Sequence, residues 1–145
     1  MTVPDVVTGS FPLVRPKITE RNAPFWQGGA DGRLRVFRCQ SCGTYLHPPT
    51  AACWSCRSMD VAPEALSGRG VVYASTVNHY RWLPDMEPPY IVAEVELVEQ
   101  EGLRLMTNIV DCPLDEVRTG MAIPVVALVS TGAGHFTGCM LVSTG

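Results

Sequence analysis

Two pairs of cysteines, each with two residues between its members, constrain the fold of this chain more than any other feature of its sequence. Ten residues separate the pairs, whose members are Cys39, Cys42, Cys53 and Cys56. A pair with this spacing turns the backbone so that both sulfur atoms point to one centre, and two such pairs complete a tetrahedral set of thiolates. Segments with the pattern of short strands flank the pairs, from Leu34 to Arg38 and from Val61 to Leu66. The sequence therefore predicts a zinc ribbon.

The four cysteines also indicate which metal the chain holds. Four thiolates leave no open coordination position, so we expect one structural Zn²⁺ per chain rather than a catalytic ion. Iron in a rubredoxin-like electron carrier is the alternative, because thiolate softness and tetrahedral geometry suit both metals. Disulfides are a third interpretation, which the cytosolic character of the sequence disfavours. His47 lies five residues after Cys42, and with four cysteines available we interpret it as a polar surface residue.

The composition limits the size and the class of the protein. With 145 residues, the chain holds about one domain, or one domain with a small appendage. Only 17% of the residues are charged, below the usual value of about 25%, so we expect a partner to cover part of the surface. A net charge of -3 and a pI near 5.5 argue against nucleic-acid binding, which depends on Lys and Arg at the phosphates.

The hydropathy pattern predicts neither a membrane span nor export. The apolar stretch from Ile123 to Val129 has seven residues with Pro124 inside it, whereas a transmembrane helix needs about 20. The first 17 residues lack the basic start and the unbroken apolar core of a signal peptide. We therefore expect a cytoplasmic protein that has no membrane partner.

Glycine and proline residues divide the chain into three segments. The first predicts an extended arm and then a short helix from Asn22 to Ala30, with Asn22 as its cap and Pro24 in its first turn. Two glycines within Ser67 to Gly70 mark the boundary between the second and third segments. The predicted domains are residues 1–33 with the arm and helix, residues 34–68 with the zinc ribbon, and residues 69–145.

The third segment predicts a five-stranded barrel. Alternating and β-branched residues predict strands at 71–79, 90–98, 103–110, 123–130 and 136–142. Gly102 suits the hairpin loop between the second and third strands. Pro113, the acidic residues after it and Arg118 predict one or two helical turns between the third and fourth strands. This element order is that of an OB-fold, so the predicted fold class is mainly β, and a small β-sandwich is the alternative.

The sequence contains no convincing catalytic set. Cys112 and Cys139 are the unpaired thiols, and His135 lies four residues before Cys139, which is about 13 Å along a strand and too far for a catalytic pair. We expect both thiols to be buried, as free cysteines usually are. The chain is therefore predicted not to be catalytic alone.

The loop from Asn78 to Pro89 is the main candidate for an interface. It contains Tyr, Arg, Trp and Met, which are enriched where proteins meet. Burial of Trp82 against the end of its own barrel is an equally good interpretation of the sequence. The candidate residues for a partner or ligand interface are Phe25, Trp26, Tyr80, Arg81, Trp82 and Tyr90.

Several segments of the chain together resemble one protein family. The stretch FRCQSCGTYLHPPTAACWSC has two prolines between its cysteine pairs, and it is preceded by NAPFW and followed by Gly70-Val71-Val72 and Pro89-Tyr90-Ile91-Val92. This combination resembles the acyl-CoA-associated family that joins a rubredoxin-like zinc ribbon to an OB-fold domain. The resemblance covers roughly residues 18 to 130, whereas the C-terminal HFTGCMLVSTG departs from the usual ending of the family.

The resemblance implies an accessory subunit rather than a free-standing enzyme. Members of this family accompany thiolase-like enzymes, including the retro-aldolases and hydratases that shorten steroid side chains as CoA thioesters. The implied partner is a thiolase-like subunit in a hetero-oligomer, with an acyl-CoA at the shared interface. Two alternatives from other classes are a single-strand nucleic-acid-binding module and a rubredoxin-like redox protein.

Overall fold

The computed structural model describes residues 17–27, 33–82, 84, 87–110, 112–130 and 136–142. The elements in this part of the chain are α1 (Ala23–Gln27), β1 (Arg35–Cys39), β2 (Tyr45–Leu46), β3 (Val61–Ala65), β4 (Arg69–Asn78), β5 (Tyr90–Leu97), β6 (Arg104–Val110), β7 (Ala122–Ser130) and β8 (Phe136–Val142). The predicted mainly β fold class is confirmed, while the predicted N-terminal arm lies largely outside the described residues. None of the helical residues in the described ranges forms a segment long and apolar enough to cross a membrane.

The short N-terminal helix is capped three residues earlier than the sequence predicts. The N–H of Thr19 donates to the Asn22 Oδ1 at 2.7 Å, and the N–H of Asn22 donates to the Thr19 Oγ1 at 3.3 Å. These reciprocal bonds form a capping box, with Thr19 as the cap and Asn22 three positions later. The N–H of Ala23 then donates to the Thr19 carbonyl at 2.9 Å. Asn22 therefore supports the cap rather than providing it.

The ribbon is a three-stranded antiparallel sheet in the order β2-β1-β3. Strand β1 lies in its centre and alternates between two hydrophobic cores, because successive side chains point to opposite faces of a sheet. Leu34, just before β1, and Val36 pack in the core of the barrel, whereas Phe37 and Cys39 pack in a separate ribbon core with Leu46 and Cys53. The central strand of the ribbon is thus buried on both faces.

The second sheet is a closed barrel in the order β4-β5-β6-β8-β7. Strands β6 and β8 pair in parallel, and the other neighbours pair antiparallel. This connectivity is that of an OB-fold, so the predicted five-stranded barrel is confirmed. The barrel closes where Gly70 of β4 pairs with Ile123 of β7. A Cβ atom at Gly70 would lie 2.6 Å from the side chain of Val95, so closure requires glycine there.

The segment between β6 and β7 contains turns where the sequence predicts a short helix. The N–H of Glu116 donates to the Pro113 carbonyl, and the N–H of Met121 donates to the Arg118 carbonyl, both at 3.1 Å. Each bond closes a separate turn, one at residues 114–116 and the other at residues 119–120. Most of the stability of a short helix comes from packing, and α1, which is just as short, packs its Phe25 in the core. Terminal signals between β6 and β7 therefore produced two isolated turns in place of a helix.

Candidate metal centre

The first cysteine pair lies in a tight turn at the end of β1. The N–H of Gly43 donates to the Cys39 carbonyl, and the N–H of Cys39 donates to the Thr44 carbonyl, both at 2.9 Å. Gly43 has a φ of +79°, a left-handed conformation that glycine adopts without strain. This turn brings the sulfur of Cys42 back toward that of Cys39.

The second pair repeats this backbone arrangement. The N–H of Arg57 donates to the Cys53 carbonyl at 2.9 Å, and the N–H of Cys53 donates to the Ser58 carbonyl at 2.8 Å. Arg57 occupies the position of Gly43 and has a φ of +64°. A non-glycine residue rarely adopts this conformation, so the turn imposes it. Because the two cysteine pairs have the same spacing, the sequence could have identified Arg57 as the residue equivalent to Gly43.

The sulfur atoms of all four cysteines lie close together. The ligand atoms lie within 4.8 Å of one another, with Cys39 Sγ to Cys56 Sγ at 3.5 Å and Cys42 Sγ to Cys53 Sγ at 3.6 Å. A disulfide would require about 2.05 Å, whereas a tetrahedron of bonds of about 2.3 Å places its corners about 3.8 Å apart. The four sulfurs therefore form a cluster with the dimensions of a tetrahedral metal site.

The pKa values of the thiols differ strongly because the sulfurs are crowded. The hydroxyl of Thr44, 3.1 Å from the Cys42 sulfur, and the Thr44 N–H lower the pKa of Cys42 to about 6. The Ser58 N–H lowers the pKa of Cys56, but the neighbouring thiols and burial outweigh it and raise that pKa to about 12. Thiols this close cannot all ionise unless a cation neutralises them, and a divalent metal ion does so by displacing their protons.

The aromatic loop, defined as residues 78–82, projects from the end of β4. Tyr80 and Trp82 are 64% and 69% exposed, and their rings meet edge to face with centroids 4.7 Å apart. Asn78 holds both residues, because its Oδ1 accepts from the Trp82 Nε1 at 2.8 Å and its Nδ2 donates to the Tyr80 carbonyl. Of the two interpretations left open by the sequence, the structure supports the exposed Trp82.

The remaining candidate interface residues differ in exposure. Arg81 is exposed, pairs with Glu87 and donates to the Pro84 carbonyl. Phe25 and Tyr90 are only 8% and 5% exposed, so both have a place in the core of this chain. Trp26 is half-buried and contacts the Phe25 ring.

The environments of His47 and Cys112 do not indicate a catalytic role. His47 is not the polar surface residue that the sequence suggested, because its ring lies 4.9 Å from that of Phe25 and its Nδ1 is buried without a hydrogen-bond partner. Burial lowers the pKa of His47, which favours the neutral ring. Cys112 is fully buried, as predicted, whereas the side chain of Cys139 lies outside the described residues.

Two exposed apolar residues at the metal end of the ribbon were not identified from the sequence. Trp54 and Met59 are 70% and 76% exposed. Trp54 lies inside the second cysteine turn, where both sulfurs point inward and the side chains between them point outward. The position of Trp54 between Cys53 and Cys56 was the sequence feature that could have predicted its exposure.

The comparisons with known proteins match two successive parts of the chain to two domains of one family. Residues 26–62 match the family described as "ChsH2, rubredoxin-like zinc ribbon domain", and residues 63–128 match "ChsH2, C-terminal OB-fold domain". A solved structure described as "Ltp2-ChsH2(DUF35) aldolase" is similar with a TM-score of 0.77 and 35% identity, over 88% of this chain and 98% of that chain.

Two characterised relatives differ in length. The "3-oxo-4,17-pregnadiene-20-carboxyl-CoA hydratase alpha subunit" of Mycobacterium tuberculosis is 32% identical over 79% of this chain, but the chain spans only 35% of that protein. The "Benzoylsuccinyl-CoA thiolase subunit BbsA" of Thauera aromatica is 30% identical over 70% of this chain and 71% of that protein. Both names include a CoA thioester and the word subunit.

Proposed function

Because the chain belongs to the family in which a ChsH2-type zinc ribbon precedes a ChsH2-type OB-fold domain, we propose that it is a non-catalytic accessory subunit of a thiolase-like acyl-CoA enzyme complex. The complex acts in the cytoplasm as a retro-aldolase on the CoA thioester of a steroid or another lipid side chain. The observation that carries this proposal is the similarity to the aldolase chain, 98% of which is matched.

The metal of the complex is zinc, held by the four clustered cysteines. Four sulfur ligands in a closed tetrahedral arrangement are typical of structural zinc, and the family description also names zinc. Zinc bound there contributes directly to the stability of the ribbon, because its ligands are brought together only when the ribbon folds. The ion supports the shape of the subunit, and the reaction takes place in the partner.

The aromatic loop is the surface on which the thiolase-like partner binds. Two adjacent exposed rings, of which the side chain of Asn78 holds the Trp82 ring, lose little conformational freedom on binding. The ion pair with Glu87 neutralises the charge of Arg81. An apolar pocket of the partner therefore suits this loop better than a charged surface.

The acyl-CoA lies at the interface between the two subunits. A groove of about 470 Å³ beside α1 is one concave surface of the described residues, and its lining includes the polar side chains of Arg21 and Asn22. The apolar residues that line it include Trp26, Pro48, Pro49 and Met106. A wall of this kind supports catalysis in the partner by positioning the thioester and excluding water.

Co-purification tests the proposal. The tagged chain is isolated from its native cells, the associated proteins are identified by mass spectrometry, and zinc and iron are measured in the same eluate. A thiolase-like protein in stoichiometric amount, zinc without iron, and retro-aldol activity of the eluate on a steroid CoA thioester are expected. A zinc-loaded chain without partner, or one that co-purifies with nucleic acid, contradicts the accessory role.

The reconstituted pair gives the second test. Purified partner is assayed with and without this chain, and with the Trp82→Ala variant, which retains the metal centre. We expect activity to rise when the intact chain is added and to rise less with the variant. Equal activity of the partner with and without the chain would contradict the proposal.

A further inference from the structure

The two solvent-facing sulfurs of the metal centre have unequal hydrogen-bonding environments. Cys39 and Cys53 are only 1% and 2% exposed, whereas Cys42 and Cys56 are exposed. Reagents in solution therefore reach Cys42 and Cys56 first, one sulfur in each cysteine turn.

Cys42 accepts a hydrogen bond from the Thr44 hydroxyl, which lies 3.1 Å from the sulfur. Cys42 as a metal ligand is a thiolate and carries no proton, so the hydroxyl is the donor in this pair. A donor to a thiolate spreads its charge and lowers its nucleophilicity.

Cys56 lacks the equivalent hydroxyl donor. Ser58 occupies the position of Thr44 in the second turn. Its hydroxyl pairs with the Ser41 Oγ at 2.8 Å and accepts from the Asp60 N–H at 3.1 Å. The repeated backbone of the two turns thus places the same kind of side chain at each exposed sulfur, but only the Thr44 hydroxyl bonds to its sulfur.

We propose that Cys56 is the site at which soft electrophiles attack the metal centre. The inference rests on the proposed zinc ligation and is independent of any partner. With iodoacetamide, a sulfur lone pair of the Cys56 thiolate forms a bond to carbon, the carbon–iodine bond breaks, and iodide leaves with the bonding electrons. No oxidant and no proton transfer are needed. The product is a neutral thioether, which is a far weaker ligand than a thiolate.

Modification of Cys56 opens the ribbon and leaves the barrel intact. The ribbon core contains Cys39, Cys53, Phe37 and Leu46, and it is separate from the larger core that fills the barrel. Loss of one thiolate removes metal-binding free energy from the ribbon alone. A reactive sulfur at this position makes the ribbon end of the subunit sensitive to electrophiles.

Limited alkylation tests the inference on the zinc-loaded full chain. The protein is treated with substoichiometric iodoacetamide at neutral pH, and the modified fraction of each cysteine is measured by peptide mass spectrometry while a chromophoric chelator records zinc release. We expect Cys56 to react about fivefold faster than Cys42, since Cys42 must give up part of a hydrogen bond to its charged sulfur. Cys112 is buried, and its labelling reports global unfolding.

Variants at the two equivalent positions give the decisive comparison. Thr44→Val removes the hydroxyl from Cys42 and should bring the labelling of Cys42 close to that of Cys56, whereas Thr44→Ser should retain the original ratio. Ser58→Ala is the matched control, because the Ser58 hydroxyl is engaged elsewhere, and the Cys56 rate should not change. Zinc content and the melting temperature of each variant verify that the ribbon is folded.

The outcomes separate this inference from the proposed zinc site. Faster labelling of Cys42, or a ratio that Thr44→Val leaves unchanged in zinc-loaded protein, would overturn the assignment of Cys56. Equal labelling of all four cysteines would also overturn it, since it would mean that zinc dissociates before the reaction. A chain that binds no zinc would refute the proposed metal as well.

Discussion

The side-chain amide of Gln100 forms two hydrogen bonds with the backbone of Tyr45. Its Oε1 accepts from the Tyr45 N–H at 2.8 Å, and its Nε2 donates to the Tyr45 carbonyl at 3.2 Å. Gln100 lies in the hairpin loop between β5 and β6, whereas Tyr45 begins β2 at the edge of the ribbon sheet. One side chain of the barrel therefore pairs with the ribbon edge as a neighbouring strand would.

Removal of this side chain should loosen the ribbon against the barrel. We expect Gln100→Ala to lower the free energy of unfolding by about 1–2 kcal/mol, the cost of two backbone groups left without partners. Gln100→Glu keeps the acceptor and loses the donor, so its effect should be smaller. Urea unfolding gives the stability, and amide hydrogen exchange at Tyr45 reports the local contact. Unchanged exchange at Tyr45 in Gln100→Ala would show that the bonds contribute nothing.

A glycine at position 57 should stabilise the chain. Arg57 has a left-handed backbone conformation that costs a non-glycine residue about 1–2 kcal/mol, while the greater freedom of glycine in the unfolded chain offsets about 0.5–1 kcal/mol. Arg57→Gly should therefore raise the free energy of unfolding by about 0.5 kcal/mol, and Gly43→Ala should lower it. Thermal unfolding of zinc-loaded protein measures both, and a less stable Arg57→Gly would mean that the Arg57 side chain itself stabilises the turn.

Loss of one buried sulfur ligand should abolish the metal site. Cys39→Ser should weaken zinc binding by more than about 100-fold, because even changes outside the ligand set cost 10–100-fold, and the ribbon should lose its ordered structure. Cys112→Ala is the matched control: it removes a buried thiol from the barrel core at a cost of about 1 kcal/mol. Zinc analysis and NMR spectra distinguish the two. Full zinc content in Cys39→Ser would exclude a four-cysteine site.

Truncation of the exposed indole should affect assembly more than folding. Trp82→Ala should weaken partner binding by about 2 kcal/mol, as expected for a central aromatic residue of an interface, and change the stability of the isolated chain by less than about 0.5 kcal/mol. Asn78→Ala should have a smaller effect on binding, because it removes only the hydrogen bonds that hold the rings. Calorimetric titration with the partner measures both.

The matched control for the aromatic loop is the exposed tryptophan of the ribbon. Trp54 is as exposed as Trp82 but lies at the metal end of the chain, so Trp54→Ala should bind the partner normally. Weaker binding by Trp54→Ala alone would place the interface on the ribbon instead.

The acid stability of the metal site should depend on Thr44. Protons compete with the metal for each sulfur below the pKa of its thiol, and the Thr44 hydroxyl helps to lower the pKa of Cys42 to about 6. Thr44→Val raises that pKa, so half of the zinc should be lost at a pH higher by about half a unit. Acid titration with a chromophoric chelator measures this midpoint. Thr50→Val, whose hydroxyl bonds to the Ala52 carbonyl, is the control, and identical midpoints for both variants would contradict the role of Thr44.

The amino-acid sequence by itself determined the local elements of this protein. The spacing within each cysteine pair predicted that its two sulfurs point to one centre. Alternating and β-branched residues predicted all five barrel strands, and their order indicated the OB-fold. These features depend on neighbours in the chain, which a sequence displays directly.

The tertiary structure decided what depends on contacts between distant residues. Turns replaced the predicted helix between β6 and β7, because so short a segment depends on packing rather than on terminal signals for its helical stability. Phe25 and Tyr90 became core residues, and the half-buried His47 packed against Phe25. The pairing of Gln100 with Tyr45 joins residues 55 positions apart. No local sequence pattern predicts such a contact, because it forms only when the two sheets pack together.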